Sequence, residues 1–345
     1  MGKNQGQKER RKKVTPWLTH AMFFLVGMLT ALLVSFYFYQ ERITPEMAKV
    51  KSGQRRLVNS LLVYKEETGF ETWGTGELKG IVSLKHGIEE FINNEKDKRL
   101  IKSVAVYFRD LNNGPWFGID EDEKFYPGSL LKIPMLIGYL KRAESSPHLL
   151  REKIKFTGDE FTESYYIKPS MEIEIGKSYT IEELIYRMLV YSDNKAARQL
   201  FYLDKGASFF KVFSDLLPHY DFKSEVISIQ IHEYASFFRI LYNASYLNKD
   251  MSNTALNWLT ELGFKDGIVS GVPSNVIVAR KFGERGEGKN LQFHDCGIVY
   301  YPKRPYLLCI MSKGENMENL IHNVKDISQL VYQHVDMQSQ RDNFR

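Results

Sequence analysis

The chain has 345 residues, 43% hydrophobic and 26% charged. That is ordinary globular composition, and it excludes wholesale disorder and collagen-like repeats. The formal charge of +5 comes entirely from the first 13 residues, where Lys3, Lys8, Arg10, Arg11, Lys12 and Lys13 face only Glu9; the rest of the chain is neutral. A basic tail on a neutral fold does not make a nucleic-acid surface. Two cysteines exclude a disulfide scaffold and a Cys-rich zinc module.

Residues 14–40 contain no Lys, Arg, Asp or Glu and include Met22-Phe-Phe-Leu-Val26 and Leu32-Leu-Val34. About 20 apolar residues span a bilayer core. The run ends in Phe36-Tyr-Phe-Tyr39, aromatics suited to a membrane interface, with no small-x-small cleavage site. The reading is an uncleaved single-pass anchor over 14–40 in the cytoplasmic membrane. The basic tail, 1–13, stays cytoplasmic, and the rest of the chain works outside. Residues 41–78 form a juxtamembrane linker, and 79–345 the folded domain.

Within that domain, Ile81, Leu84, Ile88, Phe91 and Ile92 recur at helical spacing over 79–98. Residues 103–109 alternate and are β-branched, Asn112-Asn-Gly114 marks a turn, and 116–119 is the returning strand. A buried helix is expected over 129–144. Helical patterns then dominate to about 265, with candidates at 181–190, 194–203, 206–217 and 230–244. Strands return at 276–280, 297–301 and 306–310, followed by an amphipathic helix over 316–335. An antiparallel sheet drawn from both ends of the domain, with a helical lobe over about 146–268, satisfies this order. Cys296 and Cys309 flank a turn at Pro302-Lys-Arg-Pro305. They are expected as two buried thiols, with a disulfide permitted by the compartment but restricted by cross-strand geometry.

Three short patterns occur in order. Ser129-Leu-Leu-Lys132 is S-x-x-K, Ser192-Asp-Asn194 is S-D-N, and Lys281-Phe-Gly283 is close to K-T-G. S-x-x-K also occurs at Ser208–Lys211, and K-x-G at Lys51–Gly53 and Lys265–Gly267, so context decides. Ser129 follows Pro127-Gly128 and opens an apolar helix, whereas Ser208 lies inside one. Lys281 is read as ending a β-branched strand, and Gly283, Gly286 and Gly288 as turn glycines at its end. A serine hydroxyl is a poor nucleophile until something takes its proton. Lys132, one helical turn on, shares a face with Ser129. Apolar Leu130, Leu131, Ile133 and Pro134 would depress its pKa by desolvation, and Lys281 by charge. Backbone N–H groups of Ser129 and Glu284 are candidate oxyanion donors. Ser192 would relay a proton to a leaving nitrogen, and Asn194 would hold Lys132 and a substrate amide. This is an acyl-transfer constellation. The sequence contains no H-E-x-x-H, Walker A or dinucleotide fingerprint, and neither cofactor nor metal is expected.

This motif set resembles that of class A β-lactamase-related serine hydrolases in the penicillin-recognising superfamily. The likeness covers about residues 80–335, including Phe125-Tyr-Pro-Gly-Ser129 and His294-Asp-Cys-Gly-Ile-Val-Tyr-Tyr-Pro302. It implies an α+β, β-lactamase/transpeptidase-like fold: a five-stranded antiparallel sheet flanked by helices, plus an all-helical lobe. It also implies acyl-serine chemistry on a β-lactam or a D-alanyl peptide. Ser129 would be the nucleophile and Lys132 the base. Ser192 and Asn194 would form the middle motif, and Lys281 with Gly283 and the Glu284 N–H the strand motif.

Two departures qualify the likeness. The E-x-x-L-N loop that carries the deacylating glutamate in such β-lactamases has no counterpart in 205–228, where Asp215, Asp221 and Glu225 read as solvated loop charges. Phe282 stands where the family has a hydroxyl that helps bind the substrate carboxylate, a loss worth roughly ten- to hundredfold in recognition. Arg280 and Arg285 are either surface charges or compensating groups. Three functions follow: β-lactam hydrolysis with slow deacylation, a penicillin-binding-like peptidase or acyltransferase on cell-wall peptides, or a non-catalytic envelope domain.

Overall fold

Alternation in a strand sends successive side chains to opposite faces, and here both faces of the main sheet are covered. The computed structural model describes residues 75–112, 114–158, 161, 165–220, 222 and 227–343. The tail, the anchor expected over 14–40 and the linker through residue 74 lie outside them. Among the described residues no helix is long and apolar enough to cross a membrane.

Helix α1 spans Thr75–Asp97, followed by β1 (Ser103–Asp110), β2 (Trp116–Ile119) and β3 (Lys124–Phe125). A 3-10 turn, Gly128–Leu131, leads into α2 (Lys132–Ser145). Strands β4 (Lys153–Lys155) and β5 (Ser178–Thr180) form a small ribbon. Helices α3 (Ile181–Val190), α4 (Asn194–Leu203) and α5 (Ala207–Leu216) follow, then β6 (Ile229–Gln230), α6 (Ile231–Asn243) and α7 (Lys249–Thr260). The chain returns as β7 (Val278–Glu287), β8 (Asn290–Val299) and β9 (Tyr306–Gly314), and closes with α8 (Met317–Asn343).

The five-stranded sheet runs β2-β1-β9-β8-β7, all antiparallel. It joins both ends of the domain, as the order of patterns requires. Val104, Val106 and Phe108 of β1 pack with Ile88 of α1 and Leu320, Val324 and Ile327 of α8 on one face. Ala105 and Tyr107 point the other way, into a larger core with Leu136, Ile137 and Leu140 of α2 and Phe237 and Leu241 of α6. Covering both faces explains why β9 reads as a continuous apolar run rather than an alternating one.

The local signals for several helices are strong. Thr180 and Glu183 form a reciprocal capping box at the start of α3. Asp193 caps α4, accepting from the amides of Lys195 and Ala196 at 2.8 and 3.1 Å. Helix α7, not among the helices expected from the sequence, begins after Asn248, whose side chain accepts from Met251 N at 2.9 Å.

Four expectations change. The strand expected over 297–301 is β8, which runs Asn290–Val299. The helix over 129–144 starts as a 3-10 turn. Strand β7 continues through the lysine motif to Glu287, so Lys281 lies inside it, and Gly283 and Gly286 are strand residues. Charges and glycines there disguise the strand, and ten cross-strand pairings with β8 hold it, from Val278 opposite Val299 to Glu287 opposite Asn290. Cys296 and Cys309 sit directly opposite each other on β8 and β9, and their sulfurs are joined as a disulfide rather than left as thiols.

Arg280 is neither a surface charge nor a substrate-facing group. It is 2% exposed, pairs with Asp295 Oδ2 at 2.5 Å and donates to the Phe264 carbonyl. The same carboxylate oxygen accepts from Ile268 N at 2.9 Å, tying β8 to the 267–271 turn. Truncating one partner strands a buried charge. Asp295→Ala is expected to lower stability by about 3–5 kcal/mol, read as a lower urea midpoint at constant m-value.

Candidate active site

Ser129 lies in the 3-10 turn, where residues three apart eclipse. Lys132 therefore follows on the same side and opens α2. Lys132 is 4% exposed and donates to Ser192 O at 2.7 Å and Ser192 Oγ at 3.2 Å. Lys281, fully buried, reaches the same oxygen from β7: its Nζ lies 3.1 Å from Ser192 Oγ and 3.0 Å from Phe282 O. One hydroxyl thus accepts from two lysines, which fills both lone pairs and leaves its own proton to donate elsewhere.

Ser192 adopts φ +58°, a left-handed conformation that costs a non-glycine residue energy and recurs at functional sites. It is held there by the Asp193 cap. Asp193 is buried, and besides the two α4 amides it accepts from Ile173 N at 2.7 Å. Burial, then the charges of Lys132 and Arg280, hold the Lys281 ammonium far below the usual lysine range. Sequence reasoning assigned that depression to Lys132, with Lys281 as the resident charge. In the structure Lys281 itself is depressed.

The serine turn is pressed against the edge strand. Gly128 has φ +53°, and a Cβ on it would come 2.3 Å from Glu284 O. A Cβ on Gly283 would meet Pro127 O at 2.4 Å and Leu130 N at 2.9 Å. Any side chain at either position would push the two backbones apart. Because β7 is the sheet edge, alternate amides along it face away from the ladder.

Strand β8 grips the residues ahead of the turn. Tyr126 N donates to Gln292 Oε1 at 3.0 Å, and His294 Nε2 lies 3.0 Å from Tyr126 O. His294 Nδ1 accepts from Ser312 N at 3.3 Å, so Nε2 carries the proton and donates to Tyr126. From α6, buried Tyr234 donates to Leu130 O at 3.0 Å.

A cavity of about 390 Å³ opens over the turn, a volume suited to a small ligand. Ser129, Ser192, Asn194 and Glu284 line it, with Phe282 and the segment Tyr165–Ile167. Lys132, Lys281 and Gly283 are not on its wall. The lysines stand behind Ser192, and Gly283 serves the close approach of strand and turn. Phe282 is 3% exposed and packs on Phe264, with ring centroids 4.6 Å apart. Arg285 is exposed at the rim, its guanidinium 5.3 Å over the Tyr126 ring.

Asp215 belongs to helix α5, where it pairs with Lys211 at 2.7 Å and accepts from Tyr246 Oη at 2.6 Å. It takes no part in the cavity. Asp221 and Glu225 lie outside the described residues. Sequence reasoning missed the Tyr165–Ile167 wall, the Glu284 side chain and the His294 clamp. Two adjacent tyrosines in an otherwise polar loop were the one signal for the first.

A family model described as the beta-lactamase enzyme family matches residues 85–335. No curated protein matches the chain. Among solved structures it is similar to PBP-A, with a TM-score of 0.61 and 18% identity over 74% of this chain and 96% of that one. It is similar to a class A beta-lactamase from Mycobacterium abscessus, with a TM-score of 0.61 and 21% identity over 72% and 98%. For the TLA-1 extended-spectrum beta-lactamase the TM-score is 0.64, with 16% identity over 74% and 99%. At these identities the structural likeness speaks for the fold.

Burial pulls His294 down from 6.5 to about 4. The unfolded chain therefore binds more protons between those values, and stability is fully present above about pH 6.5 and is lost as pH falls toward 4. The loss is about 3 kcal/mol. Urea titrations at pH 7 and pH 4.5 are expected to show this drop, and His294→Gln is expected to flatten it.

Proposed function

Since this chain belongs to the beta-lactamase enzyme family and is a β-lactamase-like serine hydrolase, we propose that it acylates Ser129 with β-lactams or related cell-wall amides and releases the product slowly. The observation that carries this reading is the meeting of Lys132 and Lys281 on Ser192 Oγ beside the cavity that Ser129 lines.

In the proposed step, Lys132 takes the Ser129 proton as Oγ bonds to the substrate carbonyl carbon. Lys281, depressed by burial and by the Lys132 charge, meets Lys132 on the same Ser192 oxygen. The Ser129 and Glu284 amides receive the oxyanion. When the C–N bond breaks, Ser192 gives its proton to the leaving nitrogen and recovers one from Lys132. Asn194, on the cavity wall, binds a substrate amide. Lys281 and Gly283 act through Ser192 and through the backbone rather than by touching substrate. No cofactor takes part.

Slow release is the reading supported by the lack of an E-x-x-L-N pattern in 205–228. Among the described residues lining the cavity the one carboxylate is Glu284, and both its oxygens accept backbone amides. This observation also favours a second reading, a penicillin-binding-like peptidase or acyltransferase on peptidoglycan peptides. The acyl-enzyme of a PBP-A mutant with penicillin G has the same fold, with a TM-score of 0.61. The proposal includes single-pass anchoring through 14–40, with the N-terminus inside and the catalytic domain outside the cytoplasmic membrane. The charge-free run behind a basic tail supports it.

Intact mass of the full-length chain with a reporter penicillin tests the chemistry. The expected result is a persistent adduct on Ser129, absent in Ser129→Ala and formed at least about 100-fold more slowly in Lys132→Ala. Rapid turnover would favour efficient hydrolysis, and no adduct at all would leave a non-catalytic envelope domain. Protease added to spheroplasts is expected to shave off the domain, and its protection there would overturn the orientation.

A further inference from the structure

Glu284 enters the acyl-transfer scheme through its backbone, yet its side chain has an arrangement of its own. Residues two apart on a strand share a face, and Phe282 and Glu284 both line the cavity. The Glu284 carboxylate is partly buried and aims across the opening. Oε1 accepts from Tyr166 N at 3.1 Å and from Ile167 N at 3.0 Å, and Oε2 lies 3.1 Å from Ile167 N. Two consecutive amides donating to one carboxylate form a charge-assisted anchor, stronger than neutral hydrogen bonds. The partners are more than a hundred residues apart in sequence and both line the same cavity.

The far side of this segment is tied elsewhere. Tyr165 Oη donates to Glu172 at 3.0 Å, Glu172 pairs with Lys195 of α4 at 2.8 Å, and Ile173 N donates to Asp193 at 2.7 Å. Those ties hold the segment to the helical side, next to Ser192 and Asn194. Glu284 joins it to β7, against which the serine turn packs through Gly128 on Glu284 O and Gly283 on Pro127 O. The carboxylate therefore bridges the two sides.

We propose that Glu284 is a positioning and specificity residue, whose carboxylate clamps the Tyr165–Ile167 wall to the edge strand and so sets the width of the cleft over Ser129, favouring slim acyl donors over bulky ones. The inference deepens the acyl-serine reading and rests on it for the identity of the ligand. The clamp itself stands on geometry alone. Two backbone amides hold the carboxylate, and through them Glu284 acts on the wall.

The test uses the full-length chain, Glu284→Ala and Glu284→Gln. Hydrogen exchange followed by mass spectrometry reads the Tyr166 and Ile167 amides, and intact mass reads acylation by penicillin G and by a penicillin bearing a bulky dye. In Glu284→Ala the two amides are expected to exchange at least about tenfold faster, with protection largely rescued in Glu284→Gln, which keeps an acceptor oxygen. The ratio of bulky to slim acylation is expected to rise about tenfold in the alanine variant and to stay near wild type in the glutamine one. Unchanged exchange in Glu284→Ala overturns the clamp. Faster exchange with an unchanged acylation ratio overturns its part in selectivity. If the wild-type chain reacts with neither penicillin, the acyl-serine reading fails, and the exchange arm still decides the clamp. Should Glu284→Ala fail to fold, Glu284→Ser against Glu284→Gln carries the same comparison.

Discussion

Two lysine side chains, one from the start of α2 and one from the middle of β7, end on a single serine oxygen inside the protein. Bringing like charges out of water and within reach of one acceptor is unfavourable on both counts. The surroundings offset part of that cost with directed acceptors: the Ser192 carbonyl for Lys132 and the Phe282 carbonyl for Lys281. The part that is not offset appears as a strongly depressed Lys281. The same meeting sets Lys132, the proposed base, beside a second amine, so the electrostatic penalty sits where the proposed chemistry takes place.

Much of the neighbouring architecture holds that meeting in place. Ser192 keeps a left-handed backbone because Asp193, buried and bonded to three amides, locks the residues around it. The serine turn is gripped from three sides, by Gln292 and His294 on β8, by Tyr234 on α6 and by the glycine contact with β7. Each grip acts on backbone atoms. The turn's geometry is thereby set independently of the Ser129 side chain, which stays on the cavity wall for chemistry. Preorganisation of this kind spares the reaction the work of ordering its own groups.

The cavity itself has an uneven character. Ser129, Ser192 and Asn194 make one polar side, whereas β7 contributes the ring of Phe282 and the carboxylate of Glu284. Phe282 belongs mainly to the core beneath the sheet, packed on Phe264, and only borders the cavity. Its aromatic character thus has a packing reason of its own. Acids sought for a deacylating base serve other ends in the described part of the chain: Asp215 pairs on the surface of α5, and Glu284 holds a wall.

Local patterns carried a large part of this. The ends of α3 and α4, the turn before β9 and the three motifs were legible because caps, turn residues and short-range spacing act within a few residues. Strand β7 was legible only in its first residues. Its motif half has weak strand propensity and depends on β8 for its form. Arg280 is a similar case, since nothing local separates a buried arginine from a surface one, and only the opposing Asp295 makes its burial tolerable. By itself the sequence determined the order of elements, the neutral charge of the domain and which residue types stand ready for acyl transfer, because these depend on composition and neighbours along the chain. Tertiary structure alone decided that Lys132 and Lys281 meet on one Ser192 oxygen and that Glu284 reaches the Tyr166 and Ile167 amides. Those outcomes turn on distances of about 3 Å between residues 60 to 118 apart in the chain, and no local rule encodes them.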